Sequence, residues 1–192
     1  MFLNNPEYVK IGEKKYKINT DFRVALECDK IARDKTIKEY EKSLAIIYLL
    51  FGDEGLNDFD NHVKLLELGQ KYLLAGKEPK DTDKKPDMDF NKDYDYIWTS
   101  FMSDYNGMDI DKINMHWWKF SKLVDGLSVS EFGQCCILNR IRQIRNADPS
   151  KIKNNKERQE LIDLQEELSL DKVELTKEQE ESMEKLNKIL GL

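Results

Sequence analysis

Apolar residues in this chain recur mainly in steps of three and four, the period of a helix that turns one face to a core. The exception comes first. Tyr8, Val9 and Ile11, then Gly12, then Tyr16 and Ile18 predict two short strands about a turn between Glu7 and Asn19. Thr20 or Asp21 can cap a first helix that runs to about Asp34 and turns Phe22, Ala25, Leu26 and Cys28 inward. A second helix opens at Thr36, with Tyr40, Leu44, Ile47 and Phe51 as its inward stripe and Gly52 as its end. A third, from Asp58 to about Ala75, places Phe59, Val63, Leu66 and Leu73 inward and stops at Gly76.

Residues 77–91 break the periodicity with Pro79 and Pro86 among Lys, Asp and Glu, and read as a polar linker. Beyond it, Tyr94, Ile97, Trp98, Phe101 and Tyr105 form an aromatic helical stripe closed near Gly107. Ile110, Ile113, Trp117, Phe120, Val124 and Leu127 predict a continuous helix over 110–127, ending near Gly126. A sixth, starting near Ser128 or Ser130, carries Phe132, Cys136, Ile137, Ile141 and Ile144 until Asp148 and Pro149 stop it. The last 42 residues are more charged, with thin stripes at Leu161, Leu164 and Leu168 and at Met183, Leu186 and Leu190. Such helices bury little alone and are expected to dock on the body or on another chain.

The predicted class is therefore mainly α, a multi-helix bundle with a short amino-terminal β-hairpin. Its parts are 1–76, hairpin plus helices; 77–91, linker; 92–150, helical core; and 151–192, charged helices for a partner. Composition refines this picture only modestly. Charged residues at 35% beside 40% apolar ones fit a surface-rich helical protein, because the apolar residues fall in periodic sets. A net charge of -6 argues against a general binder of nucleic acid or anionic membranes. Three cysteines, two of them the adjacent Cys135 and Cys136, point to reduced thiols rather than a disulfide framework.

Candidate chemistry is sparse. Asp87, Asp89, Asn91 and Asp93 resemble the start of a calcium loop, but Lys92 stands where the turn glycine belongs and Trp98 where the closing glutamate belongs. A solvated acidic linker is the expectation. His62 and His116 have no neighbours at zinc-ligand spacing, and Cys135 with Cys136 lack the two-residue gap of redox or zinc motifs. Neither Gly126 to Ser130 nor Gly133 forms a nucleophile elbow. The expectation is no enzyme, no catalytic residue, no metal and no cofactor. Arg140, Arg142 and Arg145 are the sharpest charge cluster, suited to a protein carboxylate or an internal pair more than to nucleic acid. Trp118 lies one step off the stripe of Trp117 and Phe120, where an exposed indole can anchor an interface, although burial of both indoles in the core is the stronger expectation.

Three motifs carry a family resemblance. They are Asp95, Tyr96, Ile97 and Trp98 through Phe101 and Tyr105; His116, Trp117, Trp118, Lys119 and Phe120 with Leu123, Gly126 and Leu127; and Arg140 through Arg145 followed by Asp148, Ser150, Lys151, Ile152, Lys153, Lys156, Glu157 and Arg158. In these, and in the order of segments over about residues 14–170, the chain resembles the phage Gp-fifteen family. Such proteins are usually encoded between the major tail protein and the tape measure. The resemblance implies a tail assembly chaperone in the host cytoplasm, one that binds or sequesters the tape measure protein during tail morphogenesis. The tail tube protein or a second tail assembly chaperone are further implied partners, and a homo-oligomer is compatible. No nucleic acid and no membrane enter this reading. The Asp148, Pro149 pair and the charged segment after Thr176 depart from the family pattern and leave no carboxy-terminal role to transfer.

The expected partner surface comprises Trp118, Phe120, Leu123, Arg142 and Arg145, with a second patch at Leu161, Leu164, Met183 and Leu186. A structural tail or neck component retained in the particle would use the same faces. A regulator gripping nucleic acid through the Arg140 to Arg145 helix is a third reading, and an enzyme the last.

Overall fold

The computed structural model describes residues 5–78, 86–129 and 135–170, which form seven α-helices and an amino-terminal hairpin. Strands β1 (Tyr8–Ile11) and β2 (Lys14–Lys17) pair antiparallel, with Val9 opposite Tyr16 and Lys10 opposite Lys15. Alternation turns Tyr16 into the core and leaves the lysines in water. The hairpin is pinned by Asp58, whose carboxylate accepts from Lys14 Nζ at 2.6 Å and from the Tyr16 hydroxyl. Those two hydrogen bonds and one from Asn61 hold its pKa down at about 2, against an ordinary 3.8.

Helix α1 (Phe22–Arg33) starts where Asp21 accepts the Arg23 amide, and buries the predicted Phe22, Ala25, Leu26 and Cys28. Helix α2 (Glu39–Leu56) buries the expected Ile47 and Phe51 but adds Ile46 and Leu50 to its inward face, while Leu44 is half-buried and Tyr40 lies in solvent. Gly52, at φ 64 and ψ -159, interrupts it. That break takes the Leu50 carbonyl out of the helical ladder, and it accepts the Asn19 amide at 2.8 Å instead. A 3₁₀ turn (Phe59–Asn61) leads into α3 (His62–Leu73), which buries Leu65, Gly69 and Tyr72. Phe59 and Val63, expected inside, are outside.

Residues 86–93 form a built turn rather than a solvated acidic linker. Asp89 accepts the amides of Asn91 and Lys92, the fully buried Asp93 accepts the Asp89 amide, and Asp87 pairs with Arg142 at 3.2 Å. The carboxylates that mimic a calcium loop therefore serve the backbone and an arginine, and among the described residues no group of three His, Cys, Asp or Glu is placed to hold a metal. The turn delivers Phe90 to Trp117, with ring centroids 5.6 Å apart.

Helix α4 (Tyr94–Asp104) contributes Ile97 and Phe101 to the core, and α5 (Trp117–Asp125) contributes Trp117, Phe120 and Val124. The single helix expected over 110–127 is thus nine residues long and begins after His116. The reason is 87 residues away in sequence: one Arg23 guanidinium nitrogen donates to the carbonyls of Ile110, Asp111 and Ile113, at 2.9–3.0 Å, drawing them off any helical ladder. Ile110 and Leu127 still pack into the core as predicted. Helix α6 (Ile137–Asn146) likewise begins later than Ser128, whose carbonyl and hydroxyl accept the Cys136 amide. The Leu138 amide donates to the buried Ser100 hydroxyl on α4. Phe132 lies outside the described residues.

Side chains from before and after the polar stretch share one core: Phe22, on α1, stacks on Phe120 at 4.3 Å, and Phe101 lies 5.5 Å from the same ring. One compact unit covers Met1–Gln143 and a second Ile144–Leu192. Within the second, α7 (Asn155–Glu167) is capped by Asn154 and buries no residue fully. Its Gln165 amide donates to the Ile144 and Ala147 carbonyls, and Asp148 caps the turn at Pro149–Lys151. Among the described residues no helix is long and apolar enough to cross a membrane.

Candidate functional site

The paired tryptophans close a junction between helices. Helix α3 ends at Leu73 with carbonyls that its own ladder cannot satisfy. The Trp117 indole N–H donates to the Leu73 carbonyl at 3.0 Å, and the Trp118 indole N–H to the Tyr72 carbonyl at 2.9 Å. Gly76, at φ +76, turns the chain in the left-handed conformation beside the Trp118 ring, which a Cβ there would meet at an ordinary contact of 3.4 Å. His116 completes the clamp. Its Nδ1 accepts the Trp118 amide at 3.0 Å, capping α5, so Nε2, 3.1 Å from the Pro6 carbonyl, is the nitrogen that donates. Asp21 and His116 bridge the chain at the starts of α1 and α5, with the Phe22 amide on the Met115 carbonyl and the Trp117 amide on the Thr20 carbonyl.

The residues expected to meet a partner are, for the most part, engaged internally. Phe120 is fully buried among Phe22, Phe101 and Trp117, so its assignment to a partner surface is corrected: it belongs to the core. Trp118 is half-buried and held by Tyr72 as described, and Leu123 is half-buried against the core with its carbonyl taken by the Tyr105 hydroxyl at 2.6 Å. Arg142 binds Asp87 and the Asn139 side chain, and in the second unit Arg145 Nε donates to the Leu168 carbonyl at 2.7 Å. Leu161 is half-buried, whereas Leu164 is 43% exposed. Met183 and Leu186 lie outside the described residues.

A different apolar surface emerges in the first unit. Tyr40 and Tyr48 on α2 are 72% and 50% exposed, and Phe59 in the 3₁₀ turn and Val63 at the start of α3 are 76% and 73% exposed. Tyr40, the half-buried Leu44 and Tyr48 stand two successive steps of four apart and share a face of α2, whereas Phe59 belongs to the 3₁₀ turn, its ring 5.3 Å from that of His62, and Val63 to the first turn of α3. Sequence periodicity put Tyr40, Phe59 and Val63 inside. The signal that could have corrected it was that α2 is apolar around most of its circumference, more than one core face needs.

The chemistry of bond-making residues is muted. Cys28 is fully buried and its thiol is pushed up to about 12 by desolvation, then by Glu27 and Asp29. All three cysteines are free thiols, but Cys135 is only half-buried, unlike Cys28 and Cys136. His62 is engaged by the Leu56 carbonyl at 2.8 Å.

No curated protein and no solved structure matches this chain. A family model does, over residues 3–170, and its description is Bacteriophage Gp15 protein. The match reaches further toward the amino terminus than the three motifs suggested and takes in the hairpin, every helix above and the clamp of His116, Trp117 and Trp118. The chain therefore belongs to the bacteriophage Gp15 protein family, as a phage structural or morphogenesis protein.

Proposed function

We propose that the protein is a phage tail assembly chaperone that binds or sequesters the tape measure protein while the tail is built, and that it works by binding rather than catalysis. The observation that carries this reading is the exposed apolar residues Tyr40 and Tyr48 on α2, Phe59 in the 3₁₀ turn and Val63 on α3, displayed by a chain with net charge -6. Scattered exposed apolar residues need no explanation, but a row at helical spacing such as Tyr40, Leu44 and Tyr48 on α2 is what an amphipathic partner helix can lie against. Contacts of this kind are individually modest and reversible, as a chaperone that must later give way requires. Family membership in a phage structural or morphogenesis group supports the setting. Both histidines engaged by main-chain groups, and a Cys28 thiol far from ionisation at neutral pH, favour binding over bond chemistry.

Two measurements test it. Expression with and without the neighbouring tape measure protein, followed by size analysis, should give a joint soluble species only when both are present. Mass spectrometry of purified particles should find this chain absent or far below stoichiometric amounts. A stoichiometric complement in mature particles would instead make it a retained tail or neck component.

A further inference from the structure

The exposed row on α2 reads the same from either end of the helix. Tyr40 and Tyr48 each stand four residues from Leu44, one toward the start of α2 and one toward its end. Both tyrosines are at least half exposed, and Leu44, unlike Leu49 on the same helix, does not pack against the core. Steps of four place the three side chains on one ridge about 12 Å long. The two ends of the ridge differ in charge. Lys35 and Lys38 stand before the helix, Asp53 follows Gly52 beside Tyr48, and none of the three holds an ion pair among the described residues.

We infer that this ridge is the contact between two copies of the chain, their α2 helices packed antiparallel about a two-fold axis at Leu44. Reversing one helix places Tyr40 of each copy beside Tyr48 of the other and brings the two Leu44 side chains together, so a single row supplies both sides of the interface. The same reversal carries Lys35 and Lys38 of each copy toward Asp53 of the other, and the charge match is made twice. A row without this symmetry, or with one sign of charge at both ends, would gain neither match. The exposed Glu39 and Glu41 beside the row repel nucleic acid and anionic lipid, whereas a second copy meets the row with its own complement. Three side chains from each copy cover less than the roughly 1,600 Å² of a standard stable interface, so the dimer is reversible, with a dissociation constant on the order of 10 µM or weaker. Such a contact keeps the row covered and still yields to a partner helix.

Self-association is tested on the full chain alone, so its outcome is separate from that of the chaperone reading. Sedimentation velocity from about 1 µM to about 300 µM should show monomer giving way to dimer, with the midpoint raised at least twofold in high salt as the end charges are screened. Tyr40→Ser with Tyr48→Ser should raise the midpoint at least tenfold. Cross-linking tests the symmetry in a Cys135→Ser background, which leaves only the buried Cys28 and Cys136. There Leu44→Cys should oxidise to a disulfide-linked dimer, and Tyr40→Cys should link to Tyr48→Cys in a mixture but not to itself, because the two Tyr40 positions lie about 12 Å apart along the axis. A monomer throughout the range, a dimer whose midpoint the tyrosine changes leave within twofold, or a Leu44→Cys chain that forms no linked dimer overturns the inference.

Discussion

The junction at Trp117 and Trp118 and the outer faces of α2 and α3 are equally rich in large apolar side chains, yet they are built on opposite rules. At the junction two indole N–H groups meet two carbonyls and one imidazole meets an amide and a carbonyl, while the buried Tyr72 hydroxyl beside them has no hydrogen-bond partner among the described residues. On the outer faces Tyr40, Phe59 and Val63 meet water. The contrast separates residues that hold the fold from residues free to meet another chain. A rare motif is then not automatically a binding motif. Here the rarest one, the tryptophan pair, is a device that ends one helix and starts another.

The comparison breaks most visibly at the core ring. Phe120→Ala should cost about 3–5 kcal/mol, the usual range for a fully buried phenylalanine, as a lowered urea midpoint with the slope preserved. A cost near zero would return Phe120 to the surface and dissolve the distinction.

The two tryptophans sharpen it. Tyr72's carbonyl also accepts the Ala75 amide, whereas Leu73's carbonyl relies on the Trp117 indole among the interactions described. Replacing Trp117 by Phe should therefore strand a buried acceptor and cost roughly 1–3 kcal/mol, while Trp118→Phe should cost about 1 kcal/mol or less. Chemical denaturation of the two variants side by side checks the order. Equal losses would mean that ring packing, not the hydrogen bond, sets the value.

Acid probes the hairpin's attachment. Because Asp58 is held at about 2 in the fold against an ordinary 3.8, its contribution is present above about pH 4 and is lost as pH falls from there toward 2. The melting temperature of the unmodified chain should fall across that window. Asp58→Asn should begin lower at neutral pH and change less over the same interval, as followed by circular dichroism.

How much of this was legible in the sequence depends on how local each cause is. Helix α1 was read correctly down to its four buried residues because Asp21 caps it locally and its apolar residues fall on one side. The hairpin was legible for the same reason, and so was the stop at Asp148 and Pro149. Helix α2 misled because it is apolar nearly all round, so several stripes fit and Tyr40 joined the wrong one. The helix expected from Ile110 failed for a remote cause, the Arg23 guanidinium, which no window around residue 110 contains. Of the surface first expected, Leu164 remains exposed, while Phe120 is core and Trp118 and Arg142 hold internal partners. Tyr40, Phe59 and Val63 could be recognised as surface only once packing had chosen the inward faces of α2 and α3.

The most direct test sets the two regions against each other in one experiment: the Tyr40→Ser, Phe59→Ser, Val63→Ser variant and Trp117→Phe, each co-expressed with the tape measure protein below both melting temperatures. The surface variant should keep its stability within about 0.5 kcal/mol and lose most of the captured partner. Trp117→Phe should lose stability and keep its partner. The opposite pairing, with capture abolished by Trp117→Phe and untouched by the surface variant, would contradict the account.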